Sequence, residues 1–149
     1  NVIMVNHSSI GGHARLDDNC TLSGGVLIHQ FCRIGRLAFV SGGSAVSNNV
    51  PPFCTAWGRN TLIGINQVGL RRSGMPREHI TELRRAFRDL FRLTLPKSEL
   101  VELLSERGRH CPPVAELATF VADSTRPIMS GRARQAPDDS AVAPEGAAI

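Results

Sequence analysis

The chain lacks any run of about eighteen apolar residues, so no segment reads as a membrane-spanning helix. It lacks a charged start followed by an apolar stretch, so no signal peptide is expected. It lacks a CxxC pair: Cys20, Cys32, Cys54 and Cys111 are scattered, which removes the usual zinc and redox spacings. These four read instead as buried, reduced thiols of a cytosolic protein. Neither a metal nor an organic cofactor is expected. The first residue is Asn1 rather than Met, so the 149 residues are expected to begin inside a longer or processed gene product. The formal charge of +4 is modest and comes largely from arginines between Arg71 and Arg92 and from Arg126 to Arg134. Such a surface is either a solvated basic face or a seat for an anionic partner, such as a nucleotide diphosphate or an acidic carrier protein.

What is present is a repeat. Met4, Ile10, Leu16, Leu22, Ile28, Ile34, Val40 and Val46 follow one another at intervals of six residues. Four residues after each stands a small or compact side chain: Ser8, Ala14, Cys20, Val26, Cys32, Ala38, Ser44 and Val50. A period of six suits neither a helix nor simple strand alternation. It suits a parallel β-helix in which each hexad supplies one short strand and one corner of a triangular coil. The aliphatic residue then points inward and stacks on its equivalents, the compact one fills the corner, and Gly or Asn supplies positive φ at tight turns. Three hexads make a coil of eighteen residues, so Met4 to Pro51 is a little under three coils. The repeat is in register from Met4 with no capping segment before it, and further coils are expected upstream of residue 1.

The pattern is expected to stop at Val50-Pro51-Pro52, because proline cannot donate to a ladder. The reading is mainly β with an α appendage: 1–52 as the last coils of the β-helix, 53–75 as a connecting segment, 76–128 as a helical domain and 129–149 as a disordered tail. In the helical domain, Pro76 suits a first turn and Ile80, Leu83, Phe87, Leu90 and Phe91 form one apolar stripe. A second helix is predicted over Ser98–Arg107, with Ser98 as N-cap and Gly108 as stop. A third follows Pro112-Pro113, carries Val114, Leu117, Phe120 and Val121, and ends before Pro127.

Three segments are more specific than the repeat: Ile28-His29-Gln30-Phe31-Cys32-Arg33-Ile34-Gly35, Asn49-Val50-Pro51-Pro52-Phe53, and Gly64-Ile65-Asn66-Gln67-Val68-Gly69-Leu70-Arg71-Arg72. With Asp123-Ser124-Thr125-Arg126, they resemble the C-terminal half of the acyl-[acyl-carrier-protein]–UDP-N-acetylglucosamine O-acyltransferases of the lipid A pathway. The resemblance covers residues 1 to about 128 and implies a left-handed parallel β-helix of hexapeptide repeats, a cytoplasmic homotrimer and sites between subunits. It implies transfer of a 3-hydroxyacyl chain from acyl carrier protein to the 3-hydroxyl of UDP-N-acetylglucosamine, with no role for nucleic acid. One histidine acts in the family as general base, in a His-Asp pair about one coil before the segment matching Gly11-Gly12-His13. That position falls upstream of residue 1, so no catalytic residue is expected here and the chain alone is expected to be inactive. A rival alignment placing Asn6-His7 on the catalytic coil needs an eighteen-residue gap, and His7 is followed by Ser8 rather than Asp.

By the same resemblance, His13 lines the sugar and acyl site, and His29 and Gln30 contact the nucleotide sugar. Asn66, Arg71 and Arg72 contact uridine and diphosphate, for which guanidinium forks are well shaped. Gly42 measures acyl length by leaving the groove open. Without the resemblance, His13 and His29 read as corner and surface histidines, Gly42 as a tight turn and the arginines as a basic loop. Val68 stands where some members carry an acid, Ser73 where some carry a third basic residue, and the loop from Gly58 to Asn66 is one residue shorter than in some members. The other readings are a truncated, non-catalytic copy that only trimerises or binds nucleotide, and a coenzyme A-dependent acetyltransferase. The helical C-terminus and the His29-Gln30-Phe31 segment disfavour the last. In a full-length enzyme, Gly42→Met is expected to shift preference toward shorter acyl chains, and an unchanged chain-length profile in a competition assay counts against that role.

Overall fold

The structure is a computed structural model and describes residues 1–92 and 95–131. Eight two-residue strands follow at the predicted interval: β1 Ile3–Met4, β2 Ser9–Ile10, β3 Arg15–Leu16, β4 Thr21–Leu22, β5 Leu27–Ile28, β6 Arg33–Ile34, β7 Phe39–Val40 and β8 Ala45–Val46. Each pairs in parallel with its equivalent one coil on, Ile3 with Thr21, Ser9 with Leu27, Arg15 with Arg33, Thr21 with Phe39 and Leu27 with Ala45. The result is a left-handed parallel β-helix of three faces. From the second coil on the core is the predicted one: Leu22, Ile34 and Val40 are fully buried with Ile28 and Val46, and Cys20, Val26, Cys32, Ala38, Ser44 and Val50 fill the corners. In the first coil Ile10 and Leu16 are half-buried and Met4 is 48% exposed, with no coil among the described residues stacked on that side.

The corners show why six residues suffice. His7, His13, Asn19, Gly25, Phe31, Leu37 and Gly43 all have φ between 55° and 69°, one at every sixth position. This left-handed conformation turns the backbone N–H along the coil axis. Phe31 donates to the Gly12 carbonyl at 3.0 Å, Leu37 to Asp18 at 3.0 Å and Gly43 to Gly24 at 2.9 Å. A side chain with Cβ costs about 1–2 kcal/mol in this region. Gly and Asn occupy only some of the corners expected to need them; His, Phe and Leu occupy the rest, with Phe31 and Leu37 held by these axial bonds.

The β-helix does not end at Pro51-Pro52. Val50 bridges Ile34, and a ninth strand, β9 Cys54–Trp57, lies parallel on β7 with Thr55 opposite Phe39. These partners are 16 residues apart instead of 18, so the last coil is shorter by two residues. The two prolines sit buried at a corner, where no ladder donor is demanded. Pro52 packs on Gly35 so closely that a Cβ on Gly35 would strike its backbone. The expected connecting segment is therefore mostly structured. β9 turns back into antiparallel β10 Thr61–Ile65, bulged between Leu62 and Gly64, and a short helix α1 Gln67–Arg72 follows.

Three helices complete the appendage: α2 Arg77–Arg92, α3 Lys97–Gly108 and α4 Pro112–Asp123. The apolar stripe of α2 serves two cores. Ile80, Leu83 and Ala86 join Leu104, Val114 and Leu117, whereas Phe87 and Phe91 cover the end of the β-helix. Helix α3 begins one residue earlier than predicted, and Ser98 is not its cap: Pro96 holds that position with no side-chain hydrogen bond. Gly108 is inside the helix, buried, and admits Ala115 of α4 at a distance a Cβ would forbid. The predicted tail also begins too early. Met129 is 1% exposed within the β-helix core, and β11 Ser130–Gly131 pairs in parallel with β10. The rest of that tail lies outside the described residues.

Arg36 joins the two parts, its guanidinium meeting the Glu116 carboxylate at 2.7 to 3.1 Å and lying 4.9 Å from the Phe53 ring centroid. Leu22→Ala, in the fully buried stack, is expected to cost about 2–5 kcal/mol in urea unfolding. Leu27→Ala, on the same coil but 54% exposed, is expected to stay within about 0.5 kcal/mol.

Candidate functional site

The coil geometry sorts the candidate residues before any chemistry is considered. His13 occupies the corner between the second and third faces, one coil before Phe31, and both are left-handed, with φ of 59° and 64°. Their rings stack, centroids 5.0 Å apart and planes within 4°. Gln30 lies at the same corner of the next coil and is exposed. A Cβ on Gly11 would strike the Gln30 backbone, so glycine there permits the close approach. His13 and Phe31 open onto a cavity of 610 Å³ shared with Arg15, Arg33, Asn49 and Arg126. Two Asp17 contacts hold Arg33, at 2.9 and 3.0 Å, and the guanidinium lies 4.6 Å from the centroid of Phe120. Asn49 accepts from the Arg33 N–H at 2.9 Å and donates to Ser124 at 3.3 Å, tying the coil to the C-terminal segment.

His29 turns toward the second face. Its Nδ1–H donates to the Gln30 carbonyl at 3.1 Å, and it lines a smaller cavity of 210 Å³ with Leu27, Ala45, Ser47 and Arg59. Gly42 is at a different corner, between the first and second faces, and is exposed. A Cβ there would lie 3.3 Å from the Gly24 carbonyl oxygen, so even a small side chain presses on the coil before it.

Asn66, Arg71 and Arg72 are arranged by α1. The Asn66 side chain caps that helix, Oδ1 accepting from the Gly69 N–H at 3.0 Å, while Nδ2 donates to the Leu37 carbonyl at 2.9 Å. One amide therefore starts the helix and straps it to a β-helix corner. The two arginines diverge. Arg72 faces a cavity of 570 Å³ on the first face, walled by Ile3, Thr21, Phe39, Thr55 and Val68. Arg71 faces a second cavity of 630 Å³ against α2, with Met75, Arg77, Ile80, Thr81 and Arg84. Neither guanidinium forms an ion pair among the described residues.

A single chain thus brings His13, Gln30 and Phe31 to one corner and Asn66 and Arg72 to one groove, and leaves His29, Gly42 and Arg71 elsewhere. The sequence segments that carry the resemblance include Phe31 and Arg126, but no site role attaches to either of them there. The spacing of eighteen residues from His13 to Phe31 was the available signal for the first. Arg126 reaches the site only through the folding back of the chain after α4, which no local pattern reports. Among the described residues no group of three or more His, Cys, Asp or Glu could hold a metal, and no helix is long and apolar enough to cross a membrane.

A hexapeptide coil closed by a helical appendage, with a basic residue at the edge of an open groove, defines a left-handed β-helix protein of the hexapeptide-repeat class. The family model for UDP N-acetylglucosamine O-acyltransferase, domain 2, matches residues 49–129, and the chain belongs to that family. It is 41% identical over 129 residues to the acyl-[acyl-carrier-protein]–UDP-N-acetylglucosamine O-acyltransferase of Alkalilimnicola ehrlichii, covering 86% of this chain and 50% of that protein. It resembles the solved UDP-N-acetylglucosamine acyltransferases of Francisella novicida, with a TM-score of 0.82, 29% identity and coverage of 89% and 49%, and of Campylobacter jejuni, with 0.82, 32%, 89% and 52%. The chain spans about half the length of the curated relatives it matches.

Because Asn66 is both cap and strap, Asn66→Ala is expected to lower stability by about 1–2 kcal/mol in denaturant unfolding. Arg71→Ala, which removes no contact of this kind, is expected to leave stability within about 0.5 kcal/mol.

Proposed function

We propose that this chain is the C-terminal portion of an enzyme that transfers a 3-hydroxyacyl group from acyl carrier protein to the 3-hydroxyl of UDP-N-acetylglucosamine in lipid A biosynthesis. The observation that carries this reading is the family match over the last coil and the helical appendage, joined to a groove with the Arg72 guanidinium at its edge. In the reaction a general base takes the proton of the sugar hydroxyl as its oxygen attacks the thioester carbonyl. The carrier's thiolate leaves and is protonated, and an ester forms. Imidazole suits the base because its ordinary pKa lies near working pH.

The base is not among the histidines of this chain. In support of this, no described histidine is hydrogen-bonded to a carboxylate, the arrangement expected of a His-Asp pair, and His7 is followed by Ser8. His13 lines the sugar and acyl site, His29 and Gln30 contact the nucleotide sugar, Gly42 bounds the acyl groove, and Arg72 holds the diphosphate, with Asn66 keeping α1 in place beneath it. Arg71, turned to the helical domain, takes no diphosphate oxygen. The separation of these residues on one chain supports a homotrimer, cytoplasmic in its setting, in which the corner of one subunit meets the first-face groove of its neighbour. The same features suit a non-catalytic copy that trimerises and binds nucleotide, and the gene sequence upstream of Asn1 separates the two: an open frame encoding further coils with a His-Asp pair supports the enzyme.

Two measurements test the reading. The purified chain is expected to give no acyl transfer from 3-hydroxyacyl carrier protein, since a missing base removes about 10²–10⁴-fold; turnover at ordinary enzymatic rates refutes the assignment of the base. In the full-length enzyme Arg72→Ala is expected to raise the Michaelis constant for the nucleotide sugar at least about tenfold, the equivalent of 1.4 kcal/mol. The constant for the carrier protein moves much less. A loss falling mainly on the carrier protein makes this side chain a docking contact instead.

A further inference from the structure

Phe31 is badly placed for a merely structural phenylalanine. It is 53% exposed and has φ of 64°, a conformation glycine adopts without penalty, as Gly25 and Gly43 do at equivalent corners. It is not part of either buried core. Its described ring partner is His13, one coil away, at 5.0 Å and nearly parallel. Stacked coils are about 4.8 Å apart, so any two planar side chains at equivalent left-handed corners fall into offset-stacking distance.

His13 presents the complementary need. Among the described residues its imidazole makes no side-chain hydrogen bond, in contrast to His29, whose Nδ1 is held by the Gln30 carbonyl. The plane of the His13 ring is therefore set by stacking and not by a polar partner. Stacking uses the face of an imidazole and leaves both nitrogens, which lie on its edge, available to a ligand. A carboxylate or carbonyl holding the ring would occupy one of them.

We infer that Phe31 is a positioning residue: stacked on His13, it fixes the imidazole plane at the mouth of the cavity while keeping both ring nitrogens free for the sugar nucleotide. The inference rests on the reading of His13 as a substrate-lining residue.

The test uses histidine-labelled protein, with the His13 ring resonances assigned through His13→Gln. Stacking on Phe31 is expected to shift the His13 ring protons upfield. Phe31→Leu, a side chain this fold already accepts in the left-handed region at Leu37, is expected to abolish that shift, and Phe31→Trp to retain it. In the full-length enzyme, Phe31→Leu is expected to weaken binding of UDP-N-acetylglucosamine about two- to tenfold, the range an aromatic pair of about 0.5–1.5 kcal/mol supplies, with Phe31→Trp near the parent. Unmoved His13 resonances in Phe31→Leu overturn the inference. So does a shift that moves while Phe31→Leu binds the nucleotide sugar like the parent and His13→Gln does not. If His13→Gln itself binds like the parent, the reading of His13 fails instead, and the positioning role fails with it.

Discussion

The position of nearly every side chain in the β-helix depends on one hydrogen bond, repeated at the corners from Asn19 to Phe53, from the N–H of a left-handed residue to a carbonyl of the coil before it. This bond allows a strand of two residues to be followed at once by a turn of four. It also accounts for tolerance of costly residues at positive φ, since Phe31 and Leu37 are held from the coil before and lose an axial hydrogen bond if they relax. An unmade buried backbone bond costs about as much as the strain it would relieve. The conformation is therefore set by the ladder and not by the residue that adopts it. Corners become places where chemistry can be mounted, because their side chains must point outward.

The same dependence explains how the coil ends. A coil two residues short cannot keep all three faces in step, and the chain departs into the β9–β10 hairpin where Ala45 bridges Arg59. Met129, Phe87 and Phe91, from the helical part, then close the exposed end of the core, and the Arg36–Glu116 pair fastens it. Glu116 raises the pKa of Arg36 through a side-chain hydrogen bond while partial burial opposes it, as in a half-exposed ion pair. The helical appendage is thus both a cap on the solenoid and the frame that holds α1 and Arg72 over the first face.

Most of the coil could be read from residues alone because inward and corner positions recur at a fixed interval and differ in size. Leu22, Ile34 and Val40 were identifiable as core, and Cys32 and Ala38 as corner fillers, without any partner being known. The contraction at Val50-Pro51-Pro52 was not, because proline reads locally as a break and its acceptance depends on Gly35 beneath it. Ser98 and Gly108 misled for a similar reason. Local capping preference was overruled by the packing of α3 on α4, where a glycine inside the helix permits close approach. The candidate site was legible as a set of residue types but not as a place. Whether Arg71 and Arg72 act together depends on a helix of six residues that turns them to opposite sides, and the role of Asn66 depends on the carbonyl of Leu37. Neither relation leaves a mark on spacing.

The four cysteines carry a different consequence. Cys20, Cys32 and Cys54 lie inside the β-helix, the first two within one coil's length and the third in the last coil, and Cys111 in the helical core, each 2% exposed or less. Burial pushes the Cys20 thiol up to about 11, with the Asp17 charge adding to it, and burial raises the other three as well. A buried thiol with so little thiolate character is inert toward alkylating reagents until its surroundings open. The molecule therefore carries its own graded clock: the order in which these sulfurs become alkylated under native conditions reports which coils fray first and whether the helical cap lifts before the solenoid beneath it gives way.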